Sequence, residues 1–134
     1  MKNIFTILFC VQLLFVTDSF SQFPLDAKTS NRSVQPTWGP VGYHYVSFYY
    51  LPELDIYYDV NQKLFVYSNG TKWEYAQSLP KKYQTYNLYS TYKVVFQDDN
   101  IQPFTENKKH QRAYKQYRKD NSQVPIIATK DPRY

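Results

Sequence analysis

Cysteine and glycine are scarce in this 134-residue chain: one Cys and three Gly. Cys10 sits inside an N-terminal apolar run that reads as an export signal, so the chain that follows carries no cysteine. That excludes disulfides, thiolate nucleophiles and Cys-ligated zinc from the exported part, which must then be held by its apolar core. The glycine shortage excludes a Gly-rich phosphate loop, and no Gly-x-Ser-x-Gly occurs. His44 and His110 are the only histidines, with no His-x-x-x-His pair for zinc. These gaps argue together against an enzyme, and no cofactor or metal is expected.

The export reading rests on Lys2, the apolar stretch Ile4 to Val16, and Ser19-Phe20-Ser21 at the end, with cleavage before Gln22. The stretch is shorter than the roughly 20 apolar residues needed to cross a bilayer, so no transmembrane segment remains after cleavage. The periplasm or the outer surface is the expected destination. Residues 22–37 are polar and without period, and read as a flexible linker. A β-rich domain follows over 38–104, then a basic helix and tail over 105–134.

What the chain has is tyrosine. Fifteen Tyr, two Trp and five of the nine Phe fall in residues 22–134. Phenol rings bury a large apolar area and still present a hydroxyl. They crowd Tyr43–Tyr50, Tyr57-Tyr58, Tyr67 and Tyr75, in runs suited to strands. Asn69-Gly70 predicts a two-residue hairpin turn pairing Ser68 with Thr71, Val66 with Trp73 and Leu64 with Tyr75. An earlier turn at 60–63 sets Asp59 against Leu64, Tyr58 against Phe65 and Tyr57 against Val66. The strand at 43–50 adds to this meander, and another runs 92–97. Trp38 docks on the fold as a lid. Pro80 starts a short helical turn. Residues 105–119 form a C-terminal helix capped by Thr105, with His110, Ala113, Tyr114 and Tyr117 on one face. Residues 120–134 read as a loose tail. The fold class is therefore mainly β with minor α: a small antiparallel meander sheet, a short helical turn and a C-terminal helix.

Charge is divided unevenly. Residues 22–104 carry seven basic and seven acidic side chains, whereas 105–134 carry eight basic and three acidic. A basic segment beside aromatic strands suits an anionic envelope polymer or a protein partner; nucleic acid ranks last for an exported chain. The candidate binding residues are Tyr49, Tyr50, Tyr57, Tyr58 and Trp73, with Lys108, Lys109 and Arg112 from the basic segment. The alternative is a carbohydrate-binding or carbohydrate-active protein using Glu53, Asp55 and Asp59, which share parity around one strand edge. Their plainer role is solvation of turns and strand ends.

The segment 48–60 (FYYLPELDIYYDV), with Phe65-Val66-Tyr67, Asn69-Gly70, Trp73, Leu79-Pro80, Tyr83, Tyr86-Asn87-Leu88, Tyr92-Lys93-Val94-Val95 and Pro103-Phe104, resembles a family of small Tyr-rich exported proteins of Gram-negative bacteria. The resemblance spans about residues 38–104. It implies export and a compact β-rich domain, and brings no activity, ligand or catalytic residue with it.

Overall fold

The structure is a computed structural model that describes residues 34–130. The expected export signal, residues 22–33 of the expected linker, and residues 131–134 of the expected tail lie outside the described residues.

Five short strands form one antiparallel sheet: β1 (Phe48–Leu51), β2 (Ile56–Asp59), β3 (Leu64–Ser68), β4 (Trp73–Ala76) and β5 (Val94–Phe96), in the order β4-β3-β2-β1-β5. The first four make the expected meander. The β5 strand then crosses back to pair with β1 on the far edge, Tyr49 opposite Val95. Between β2 and β3 the register is the one read from the sequence, with Tyr57 opposite Val66, Tyr58 opposite Phe65 and Asp59 opposite Leu64. The fold is mainly β with minor helix.

Adjacent side chains on a strand point to opposite faces, so each Tyr-Tyr pair serves both. One face carries Tyr49, Leu51, Ile56, Tyr58 and Phe65, packed under Trp38, Tyr43, Leu79 and Leu88. Trp38 lies 4.9 Å from the Tyr58 ring and 5.4 Å from that of Tyr49, closing this face as a lid. The other face carries Phe48, Tyr50, Tyr57 and Val66 beneath Phe104, with Trp73, Phe96 and Tyr114 at its margin. Every residue of β1 and β2 is buried, as expected for strands covered on both sides.

Three expectations are corrected. The β3–β4 connection spans four residues, pairing Ser68 with Trp73 and Val66 with Tyr75. The Asn69 carboxamide oxygen accepts from the Thr71 and Lys72 N–H groups, each at 3.0 Å, and this side-chain turn displaces the tight one. Only Gly70 takes positive φ there, +98°, where a type I′ turn needs it at both central residues. The shift is two residues, so every side chain keeps its face. Second, the expected 105–119 helix is three pieces: a 3₁₀ turn Pro103–Glu106, α1 (Asn107–Ala113) and a 3₁₀ turn Lys115–Tyr117. Thr105 does not cap it; its hydroxyl donates back to the Gln102 carbonyl at 2.8 Å. His110 and Tyr114 face the sheet as expected, whereas Ala113 is exposed. Third, the segment after 120 is docked. Pro125 bridges Pro40, the Ile126 N–H donates to the Gly39 carbonyl at 2.8 Å, and Ile126 is buried. At the other end Gln35, from the expected linker, accepts a hydrogen bond from the Tyr49 hydroxyl at 2.6 Å.

Candidate functional site

Helix α1 is clamped to the sheet by polar groups. Asp55, at φ +55° in the β1–β2 bend, gathers three donors. The Tyr50 hydroxyl (2.9 Å) and Asn107 Nδ2 (2.8 Å) reach Oδ1, and Gln111 Nε2 (2.6 Å) reaches Oδ2. One helical turn on, His110 Nδ1 meets the Tyr57 hydroxyl at 2.8 Å. Burial raises the pKa values of both phenols, and the Asp55 charge raises them further. Burial also lowers that of His110, so its imidazole is held neutral.

This clamp fixes the opposite, solvent-facing side of α1 against the end of β3–β4. A concavity of about 490 Å³ opens there, with Trp73 and Phe104 at its base and Lys108, Lys109 and Arg112 on its rim. The Trp73 and Phe104 rings are 5.4 Å apart at 47°. Trp73 is half-buried, and its edge-on contact with Tyr57 at 5.8 Å holds the indole in place. Lys109 is tied to Glu106 at 3.0 Å, and that ammonium holds the Glu106 carboxyl below the usual carboxylate range. Lys108 and Arg112, four residues apart and both exposed, are the cations this pairing leaves aside. An indole floor with cations at its border can seat a flat ring and an attached anion together.

Four of the eight residues named from sequence therefore meet in one place: Trp73, Lys108, Lys109 and Arg112. The other four do not. Tyr49, Tyr50 and Tyr57 are fully buried, and Tyr58 nearly so at 9 % exposure. These rings are scaffold and present no surface to a partner. The reading missed that neighbouring phenols diverge to two covered faces. It also left Phe104 and His110 outside the site. Pro103 before a candidate helix was the available signal that Phe104 would fold inward on the first turn.

The three carboxylates proposed as a carbohydrate-active set serve separate places. Glu53 lines a polar hollow with Lys119 and Asp120. The Asp59 carboxylate accepts from the Gln62 N–H at 2.8 Å and holds the β2–β3 turn. Asp55 is occupied beneath α1. Among the described residues no group of three or more His, Cys, Asp or Glu could hold a metal. No helix among them is long and apolar enough to cross a membrane.

The class defined so far is a small open antiparallel sheet whose aromatic core is strapped by one short helix. Comparison with protein-family models, with curated proteins and with solved structures finds no match to this chain.

Proposed function

We propose that this protein is an exported, non-enzymatic module of the cell envelope that binds an anionic polysaccharide at the Trp73 concavity. The convergence of Trp73 with Lys108, Lys109 and Arg112 carries this reading. A pyranose face stacks on the exposed part of the indole, and a carboxylate or phosphate on the same or next residue pairs with Arg112 and Lys108. Arg112 presents a planar fork that matches such groups. The site is open and shallow, which suits a polymer passing across rather than a small molecule enclosed.

Calorimetric titration with polygalacturonate, against neutral dextran, tests the reading. Binding should be confined to the acidic polymer and weaken as salt rises. Trp73→Ala and Arg112→Ala should each reduce affinity about five- to tenfold, the loss of about 1–1.4 kcal/mol. Equal binding of dextran, or indifference to both substitutions, would remove the reading.

A further inference from the structure

The turn Pro103–Glu106 separates two hollows, with Thr105 and Glu106 on the wall of each. The second hollow, about 390 Å³, is bounded by Phe96, Ile101 and Pro103, with His110 the most buried of its polar residues. His110 is 6 % exposed. The tautomer follows from its partner. The Tyr57 oxygen accepts from Asn107 Nδ2 at 3.3 Å and lies 2.8 Å from His110 Nδ1. Among the described residues the phenol proton has no other acceptor, so it is donated to Nδ1. The imidazole's own proton then resides on Nε2.

That N–H has no partner among the described residues, and no buried side-chain nitrogen or oxygen there is left unsatisfied. Nε2 therefore keeps contact with solvent, and His110 lines this hollow. The requirement on a ligand is an acceptor for one N–H, flanked by a small apolar group. No Lys or Arg lines this hollow, so nothing in it compensates the charge of an anionic acceptor. A neutral carbonyl carrying a methyl meets these conditions.

We propose that this hollow is a subsite for the N-acetyl group of an amino sugar, its carbonyl oxygen accepting from His110 Nε2 and its methyl lying against Ile101 and Pro103. That the ligand is a glycan rests on the function proposed above. The two hollows adjoin across one turn, so the polymer would be both acidic and N-acetylated, with neighbouring units on either side of residues 103–106.

The test follows the His110 imidazole in long-range ¹H–¹⁵N spectra of the full chain, titrated with chitotetraose or with cellotetraose, which lacks the acetamido groups. Chitotetraose should shift the His110 nitrogens in the Nε2–H tautomer, and cellotetraose should leave them unmoved. Ile101→Trp fills the hollow from an exposed position (40 %) and should abolish the shift. His110→Phe keeps a ring and removes the donor, and should weaken chitotetraose binding about fivefold, one hydrogen bond's worth. If His110→Phe does not fold, the Ile101 variant decides. Equal response to both oligosaccharides, or undiminished chitotetraose binding by Ile101→Trp, overturns the proposal. Polygalacturonate failing to bind while chitotetraose shifts His110 would sink the acidic-polymer reading and leave this subsite standing; the converse pattern would sink the subsite alone.

Discussion

Lys93 is the residue whose chemistry conflicts most with its surroundings. It is 1 % exposed. Its backbone is clasped by one side chain, with Gln123 Oε1 accepting from the Lys93 N–H at 2.8 Å and Gln123 Nε2 donating to its carbonyl at 2.9 Å. Burial alone pushes the ammonium down to about 8 from 10.5. Between those values the unfolded chain binds more protons than the folded one, so stability rises with pH across that window. Below it the charged ammonium opposes folding in full. Lys93→Met keeps the stem and removes the charge. It should stabilise the protein by about 1–3 kcal/mol at pH 7, and the gain should have begun to shrink by pH 9. Urea midpoints at the two pH values measure this. An unchanged midpoint at pH 7 would mean that the ammonium keeps its hydration. The backbone clasp is independent of the substitution, so the comparison isolates the charge.

At the scale of elements, α1 has only seven residues, too few to persist without tertiary support, and the Asp55 carboxylate supplies the centre of that support. Asp55→Asn keeps a residue that tolerates positive φ but replaces one acceptor oxygen with a donor that faces another donor. It should cost about 2–4 kcal/mol, with amides of α1 losing hydrogen-exchange protection before those of β1 and β2. Acid should act on the same clamp. His110 titrates lower in the folded protein than in the unfolded chain, so the unfolded chain takes up the proton first. Stability is complete above the ordinary histidine value near 6.5 and declines as pH falls from there toward the lower folded value. The sequence made the meander and the β2–β3 register legible, because the four-residue turn at 60–63 fixes which residues of the flanking strands stand opposite each other. The β3–β4 register escaped by two residues because Asn69 side-chain acceptance, not the Asn-Gly pair, sets that loop. Lys108, Lys109 and Arg112 were legible as neighbours from helical spacing alone. Their meeting with Trp73 was not, since it depends on α1 crossing the sheet at Asp55 and Tyr57, more than 50 residues earlier in the chain.

For the molecule as a whole, the segment after the helix is structural despite its polar composition. The N-terminal stretch 37–41 and the C-terminal stretch 124–127 hydrogen-bond to each other. Val41 N–H donates to the Val124 carbonyl at 3.0 Å and Ile127 N–H to the Thr37 carbonyl at 3.0 Å. They close the Trp38 side of the sheet, while Gln123 pins the approach to β5. Deleting everything after residue 104 would therefore strip His110 and Tyr114 from one face and Ile126 from the region of the other, and would report on unfolding rather than on basic charge. A chain ending at Ser122 is the informative cut. It keeps α1 and the Tyr92–Tyr117 stack at 4.3 Å, and removes the Gln123 clasp and the buried Ile126. One apolar side chain and several buried hydrogen bonds amount to about 2–3 kcal/mol, or about 10–20 °C in midpoint for a domain of this size. Thermal unfolding followed by tyrosine and tryptophan circular dichroism should show that drop. Polygalacturonate binding below the lowered midpoint should remain within about twofold of the full chain, because Trp73, Lys108 and Arg112 belong to the retained part. A midpoint unmoved by the cut would make the contacts of 37–41 with 124–127 incidental to folding. A preserved midpoint with lost binding would place the anionic contact in the basic tail instead of the Trp73 concavity.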